Sequence, residues 1–154
     1  MRIALGADHG GFPGKAAIAA FLRKRGHRVV DVGTFSDESV DYPDYARLVA
    51  EKVAKGSCRR GILLCGTGIG MAIAANKFKG IRAAVVWNPA TARLAAEHNG
   101  ANVLCLSGRL FNDRQRLAMV KAWMETPFGG GRHASRLREI SKLEKAAYRP
   151  PLSQ

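Results

Sequence analysis

The sequence is poor in the residues that would assign it to several common protein classes. It has three cysteines, at positions 58, 65 and 105, and no CxxC spacing, which argues against a disulfide framework and a structural zinc site. It has no run of about 18 apolar residues, so no membrane-spanning helix is expected. The N-terminus lacks the apolar segment of a secretory signal. These absences together predict a cytoplasmic protein with reduced thiols, no metal and no membrane partner.

Acidic and aromatic residues are also scarce. Twelve Asp and Glu residues face 25 Lys and Arg residues, for a formal net charge of +13, and aromatic residues make up only 7% of the chain. A basic chain can bind nucleic acid, but base stacking needs aromatic side chains, and the cations fall on helix-like segments at surface spacings. We therefore expect most of them to form solvated helix faces and a few to bind a phosphorylated substrate, with nucleic acid as the less favoured partner.

Short apolar segments alternate regularly with segments of helical periodicity. The predicted strands are Arg2–Ala7, His27–Val32, Gly61–Cys65, Ile81–Trp87 and Asn102–Leu106. The predicted helices cover about 14–25, 42–55, 68–78, 91–97, 113–124 and 133–147. This alternation predicts an α/β fold: a three-layer, doubly wound, Rossmann-like parallel sheet of five strands in the order 2-1-3-4-5, with an extra C-terminal helix.

The 154 residues suffice for one sizeable core. We expect a single domain over 1–147. Residues 148–154 contain two consecutive prolines that cannot continue a helix, so a disordered tail is predicted there.

A glycine-rich segment, CGTGIG, joins the third predicted strand to a helix at Cys65–Gly70. Such a loop, with its amides and a helix N-terminus, favours an anion. It does not fit dinucleotide binding, because both GxGxxG registers end on a non-glycine residue, Met71 or Ile73, and no acidic residue ends the next strand. No Walker loop is present either.

In a parallel sheet the residues that follow the strands share one edge, where ligands bind. They are Asp8–Gly11 after the first strand, the glycine loop after the third, Asn88 and Pro89 after the fourth, and Ser107–Arg109 after the fifth. Asp8 and His9 could serve only as a helix cap and a structural histidine, but their place opposite the loop favours a functional role. Cys65 could be a small buried residue, but a cysteine beside a helix N-terminus is also suited to act as a base or nucleophile.

Six segments of the chain are similar to one enzyme family. They are GADHGG from Gly6, DVGT from Asp31, DYPDYA from Asp41, CGTGIGMAIAANKFKGIRAA from Cys65, EHNGANVL from Glu97 and GGRHASR from Gly130. In this order they resemble the sugar-phosphate isomerases that comprise type B ribose-5-phosphate isomerase and the galactose-6-phosphate isomerases, the former most closely. The resemblance implies aldose–ketose isomerisation through an enediolate, with no metal or organic cofactor. It also implies a homodimer with active sites between subunits, with a tetramer as the alternative assembly.

The resemblance also assigns roles to individual residues. By similarity Cys65 is the base and His98 opens the sugar ring, while Thr67 adds a hydroxyl near the reacting oxygens. The loop amides would hold the developing oxyanion. The residues implied in substrate binding are Asp8, His9, Gly66, Thr67, Gly68, Ile69, Gly70, Asn99, Arg109, Arg132 and Arg136, the three arginines forming the phosphate clamp. Arg132 and Arg136 are four residues apart, so they share a helix face, although a plain basic surface would show the same spacing.

The chain departs from the family pattern at two positions. Some relatives carry a carboxylate base one turn into the helix after the loop, where this chain has Met71, which leaves the thiol as the local candidate. The family's HND is HNG here, with Gly100 in place of Asp. We expect ribose 5-phosphate and ribulose 5-phosphate as substrates. The alternatives are an isomerase for a hexose 6-phosphate of the allose or galactose type, and a noncatalytic sugar-phosphate or polyanion-binding protein.

Overall fold

The computed structural model describes residues 1–147, which contain five strands and six helices. The strands are β1 (Arg2–Ala7), β2 (Arg28–Asp31), β3 (Arg60–Cys65), β4 (Ala83–Val85) and β5 (Val103–Ser107). The helices are α1 (Phe12–Lys24), α2 (Tyr42–Ala54), α3 (Ile69–Ala75), α4 (Pro89–Glu97), α5 (Asp113–Glu125) and α6 (Gly131–Ala147). The predicted elements are all present, with ends shifted by a few residues. The predicted disordered tail lies outside the described residues.

Helix starts follow local chemistry. Prolines occupy the first turn of α1, α2 and α4, where a missing N–H costs no helical hydrogen bond. Asn88 and Asn112 begin α4 and α5 with reciprocal capping boxes, in which the Asn side chain accepts a hydrogen bond from the backbone three residues on. The Asn88 cap places the start of α4 two residues before the predicted one.

All five strands are parallel, in the order β2-β1-β3-β5-β4. The α/β prediction is confirmed, but the predicted order 2-1-3-4-5 is wrong for its last two strands. β5 is buried along its whole length and lies between β3 and β4, whereas β4 has three half-buried residues and forms the edge. The predicted fourth strand ran to Trp87, but β4 ends at Val85 and Trp87 is 62% exposed.

The sheet separates two apolar layers. Ile3 and Leu5 pack with α1, α4 and α5, while the intervening Ala4 packs with α2 and α3, as strand alternation requires. Trp123 of α5 is fully buried, and its indole N–H donates to the carbonyl of Ala101 at 3.1 Å. Each fully buried large apolar side chain contributes about 1.5–3 kcal/mol.

The strand order determines which of the segments that follow the strands lie next to one another. The carboxyl ends of β1, β3 and β5 are adjacent, so the three segments that follow them form one cluster. Each helix that links two parallel strands must run back to the opposite, amino edge, where α4 delivers the residues after Glu97. In residues 1–147 none of the helices combines the length and apolar character needed to cross a membrane.

Candidate active site

The centre of the site is the thiol of Cys65, the last residue of β3. The side chain is 5% exposed, and its Sγ accepts a hydrogen bond from the Gly68 N–H at 3.1 Å. Gly68 has a φ of 85°, and a β carbon there would lie 3.1–3.2 Å from the backbone of Leu106. A larger residue would move the amide that contacts the sulfur, and that amide favours negative charge on it.

The other polar groups of the glycine loop differ in whether they already have a hydrogen-bond partner within the chain. The Ile69 N–H donates to Thr67 Oγ1 at 3.3 Å, and the Gly68 N–H is used by Cys65. Within residues 1–147 the amides of Gly66 and Thr67 have no hydrogen-bond acceptor. The hydroxyl of Thr67 is exposed and keeps its own proton to donate. Before α3 begins, the loop can therefore offer two amides and one hydroxyl to a ligand.

Ser107, at the end of β5, fastens the glycine loop to the next segment. Its hydroxyl donates to the carbonyl of Gly66 at 2.6 Å and accepts from the N–H groups of Arg109 and Leu110 at 3.2 and 2.9 Å. The Arg109 side chain lies over the loop, with three of its atoms 3.6 Å from the position that a β carbon on Gly66 would take. A guanidinium thus stands beside the loop that carries the thiol.

Arg116 of α5, for which the sequence predicted no role, anchors the segment around Arg109 by hydrogen bonds to its backbone. Its buried guanidinium donates to the carbonyls of Ser107, Gly108 and Phe111. It also forms an ion pair with Asp113 at 2.7 Å. A buried cation is stable only with such partners. In sequence Arg116 has the same appearance as the neighbouring surface cations, and no signal distinguishes it.

Asp8 and His9 follow β1 and face the loop. The Asp8 N–H donates to the carbonyl of Leu64 at 3.1 Å, and its carboxylate accepts from the Gly11 N–H at 2.9 Å. His9 Nδ1 accepts from the backbone N–H of Val40 at 3.2 Å. That bond places the proton of the neutral ring on Nε2, so Nε2 is left as a donor, and the substrate-binding role of His9 stays a prediction.

Tyr42 at the start of α2 also belongs to this cluster, although no role was predicted for it. Its ring atoms lie 2.7–3.2 Å from the position of a β carbon on Gly70. In the sequence, the signal for Tyr42 was its place in the DYPDYA segment, where a proline marks the start of a helix. The preceding segment is anchored by the buried Lys15, whose Nζ donates to Asp31 and to the carbonyls of Gly33 and Thr34 at 2.7–2.8 Å.

The other predicted residues form a second cluster, at the amino edge of the sheet. His98 ends α4, and its ring stacks on His133 of α6 with centroids 4.2 Å apart and planes 11° from parallel. Asn99 follows His98, and Arg132 and Arg136 lie on α6, all three exposed. The pKa of His133 is lowered by burial first and then by the charges of His98, Arg132 and Arg136, with Glu97 opposing them.

The structure accounts in part for glycine at position 100, where the family pattern has Asp. Its φ is 52°, in the left-handed region that ends helices, and a β carbon there would lie 3.1 Å from Leu137 of α6. The carboxylate of the family pattern is thus replaced by a close approach of α6, the helix whose His133 supports the His98 ring.

The two clusters do not meet within one chain. Cys65 is at the carboxyl end of β3, and His98 lies at the amino edge, before the start of β5. The six residues of β3 span about 16 Å at the usual rise per residue. Arg109 belongs to the thiol cluster, whereas Arg132 and Arg136 belong to the His98 cluster.

The other two cysteines are not alternatives to Cys65. Both are buried, and burial first and the nearby Cys65 second raise the pKa of the Cys105 thiol well above its usual range. Cys105 therefore stays neutral. Within residues 1–147 no group of three His, Cys, Asp or Glu side chains is placed to bind a metal ion.

Comparison with known proteins identifies the family. The model of the family described as ribose/galactose isomerase matches residues 3–140. The chain is 46% identical over 144 residues to ribose-5-phosphate isomerase B of Escherichia coli strain K12, covering 94% of this chain and 97% of that protein.

Two solved structures are similar over nearly their whole length. Ribose-5-phosphate isomerase B of Clostridium thermocellum superimposes with a TM-score of 0.94 at 51% identity, covering 96% of this chain and 99% of that one. The enzyme of Mycoplasma genitalium, solved with bound ribulose 5-phosphate, gives a TM-score of 0.90 at 44% identity, covering 94% and 96%. The chain therefore belongs to the ribose/galactose isomerase family and is an aldose–ketose isomerase.

Proposed function

We propose that this isomerase interconverts ribose 5-phosphate and ribulose 5-phosphate through an enediolate, with the Cys65 thiolate as the base. The observation that carries the proposal is the buried sulfur of Cys65, which accepts the Gly68 amide beside two amides without acceptors. A base at this point has a nearby anion-stabilising loop and is shielded from water, the two conditions that carbon acid chemistry needs.

The proton transfers follow from this arrangement. The thiolate removes the proton from C2 of the open-chain aldose, the C–H electrons form the C1–C2 double bond, and O1 becomes negatively charged. The proton on O2 then passes to O1 as the C2 carbonyl forms, and the thiol returns its proton to C1, which regenerates the thiolate. The amides of Gly66 and Thr67 stabilise the oxyanion, each contributing about 3 kcal/mol in sites of this kind. The Thr67 hydroxyl donates a hydrogen bond to the neighbouring oxygen.

Because Gly68 and Ile69 donate within the loop, their predicted role changes in the proposal from contacting the substrate to shaping the loop. Asp8 keeps one carboxylate oxygen for a sugar hydroxyl, since the other accepts from Gly11. His9 donates through Nε2. Gly70 lies in the first turn of α3, next to the Tyr42 ring, and its backbone amide would contact the substrate.

A second copy of the chain completes the site in this proposal. Ring opening requires a group that moves a proton to and from the ring oxygen, and His98 has this role. His98 is a sheet length away from Cys65 in its own chain, so the His98 that acts with a given Cys65 comes from the other subunit of a homodimer. The partner would supply Asn99, Arg132 and Arg136 with it, and Arg109 of the first chain would join the two arginines on the phosphate.

Exposed apolar side chains support this pairing. Ile69 and Ile73 of α3, beside the thiol, are 54% and 58% exposed. Ile140 and Leu143 of α6, on the helix that carries Arg132 and Arg136, are 48% and 70% exposed. Exposed apolar side chains near both clusters fit surfaces that become buried on association.

The substrate is tested by following ketose formation from a panel of aldose phosphates. Three relatives named as ribose-5-phosphate isomerase B, one of them solved with ribulose 5-phosphate, favour the pentose. The expected result is a kcat/KM for ribose 5-phosphate well above those for allose 6-phosphate and galactose 6-phosphate. A preference for either hexose would replace the pentose assignment, and turnover of none of them would remove the proposal.

The role of His98 has its own test. Ribose 5-phosphate rests as a ring, whereas ribulose 5-phosphate has no free hydroxyl with which to close a furanose ring. His98→Ala should therefore lose far more activity from the aldose than from the ketose. Equal losses in both directions would assign His98 to another step. The cytoplasmic location and the absence of a cofactor stay predictions.

A further inference from the structure

The amino edge of the sheet, opposite Cys65, carries a row of arginines. Arg2 begins β1, Arg28 begins β2, Arg60 begins β3 with Arg59 just before it, and Arg82 directly precedes β4. The strand register places Arg2 beside Arg28 and Arg60 beside Ile3. Adjacent strands are about 4.8 Å apart, so the row concentrates positive charge on one side of the molecule.

Three of these arginines line one cavity. Arg59, Arg60 and Arg82 surround a volume of about 300 Å³, together with Asn102, Phe128 and Leu137. None of these lining residues is acidic. The volume is at the lower end of the range for small-molecule sites. The lining combines charge with an aromatic ring and an aliphatic side chain, which suits a compact organic anion better than water alone.

Two of the guanidiniums are held in place by the fold. Arg60 donates to the carbonyl of Trp123 at 2.8 Å and stacks on its ring at 4.5 Å. Arg82 donates through Nε to the carbonyl of Gly100 at 3.0 Å. Each bond engages only part of a five-donor group, so further N–H groups on both side chains remain for a ligand.

Within the described residues, the positive charges in this cavity are only partly balanced, by the nearby carboxylate of Glu144. In residues 1–147 none of the three arginines forms an ion pair. Burial first, and then the charge of Arg59, lower the pKa of Arg60. Burial also lowers the pKa of Arg82, opposed by Glu144. Glu144 Oε1 accepts a hydrogen bond from the N–H of Gly80 at 2.6 Å, which leaves its charge in place near Arg82.

We propose that the cavity between Arg59, Arg60 and Arg82 is a binding site for a small phosphorylated compound, beside the His98 cluster but built from residues other than those assigned to the isomerase site. Planar guanidinium groups fit the oxygens of a phosphate with paired hydrogen bonds, and two held by the backbone lose little freedom on binding. Phe128 and Leu137 would contact the carbon part of the ligand. The cavity lies at the amino edge, so its occupant does not contact the Cys65 loop of the same chain.

The test uses inorganic pyrophosphate and isothermal titration calorimetry at low ionic strength. The background protein carries Arg109→Gln, Arg132→Gln and Arg136→Gln, which removes the arginines proposed for the isomerase site. We expect one site per chain, and we expect Arg59→Gln to weaken it by about tenfold, the scale of one lost charge-assisted pair. Arg59 is exposed and its side chain has no hydrogen-bond partner in the described chain, so this variant should fold normally.

The control is Arg138→Gln, which removes the same charge from an exposed position on α6. Equal affinity in the Arg59 and Arg138 variants, or no binding of pyrophosphate to the background protein, would overturn the proposal. In the unaltered protein the side-chain Nε–Hε signals of Arg60 and Arg82 should shift on titration, and unmoved signals would also contradict it. If single-stranded RNA binds instead, and Arg2→Gln with Arg28→Gln abolishes that binding, the row is a polyanion surface and the small-molecule site is wrong.

Discussion

The thiol cluster and the His98 cluster are built in opposite ways. Around Cys65 the backbone supplies the site: the sulfur, the Gly66 carbonyl, the Asp8 carboxylate and His9 each have a partner within the chain. Around His98 the contacts are between side chains, a stack with His133 beside exposed arginines. The first cluster is organised within the single chain, whereas in the proposed homodimer the second gains its surroundings from the other subunit. Substitutions should therefore act differently in the two regions.

The largest expected effect is that of Cys65→Ala on catalysis. Loss of a general base reduces rates by 10²- to 10⁴-fold, so kcat should fall by about 10³-fold while the fold is retained. Steady-state assays with ribose 5-phosphate measure this. Cys105→Ala, one strand away and equally buried, is the matched control and should keep kcat near that of the unaltered enzyme. Full activity in Cys65→Ala would remove the proposed base.

Gly68→Ala should be the next most damaging change. A left-handed backbone costs a non-glycine residue about 1–2 kcal/mol, and the β carbon would also approach the Leu106 backbone to 3.1 Å. The amide that contacts Sγ would shift, so we expect a kcat about 10²-fold lower, in line with the loss of one anion-stabilising donor.

Gly56 provides the control for this change, because it has a similar φ of 72° with nothing within 4 Å of an added β carbon. Gly56→Ala should lower the unfolding temperature slightly and leave kcat unchanged. If the two variants have the same kcat, the loop geometry does not matter for the reaction.

Arg116→Lys should raise KM more than it lowers kcat. Lysine cannot hold three carbonyls and a carboxylate at once, so the segment that carries Arg109 would loosen and phosphate binding would weaken. We expect KM to rise about tenfold, and stability to fall by about 1–3 kcal/mol. Arg114→Lys, an exposed change on the same helix, should alter neither. A fall in kcat with an unchanged KM would place Arg116 in the chemistry rather than in positioning.

The smallest expected effect concerns pH and His133. Its pKa in the folded chain is below the ordinary value of about 6.5, so the unfolded chain takes up the proton first as the pH falls. His133 therefore contributes to stability above about pH 6.5 and loses that contribution below it. The unfolding temperature of His133→Gln should fall less steeply from pH 7 to pH 5 than that of the unaltered protein. Parallel curves would show that His133 does not titrate differently in the two states.

The sequence was informative where chemistry depends on neighbouring residues. Strand ends, the glycine loop and the proline and asparagine helix starts follow from local patterns, and they placed Asp8, His9 and Cys65 at one edge of the sheet. The lateral order of β4 and β5 does not follow from alternation, because either order allows short right-handed crossovers. Burial separates the two strands, and burial is a property of the folded chain.

Two site features could not be predicted because they depend on distant packing. Arg116 lies among surface cations in sequence, and only the turn of α5 directs it inward to the carbonyls after β5. The 4.2 Å stack of His98 and His133 joins residues 35 positions apart and becomes visible only when α6 folds against the end of α4. That stack matters most for the homodimer proposal, because it fixes the cluster that cannot reach its own Cys65.

The most direct test of the proposed shared site mixes Cys65→Ala with His98→Ala and allows their subunits to exchange. Each variant alone lacks half of every site, but a mixed dimer contains one site with both intact groups. Random exchange should restore about a quarter of the unaltered activity from ribose 5-phosphate. Activity that stays at the sum of the two separate variants after verified exchange would contradict the account, because Cys65 and His98 would then have to act within one chain.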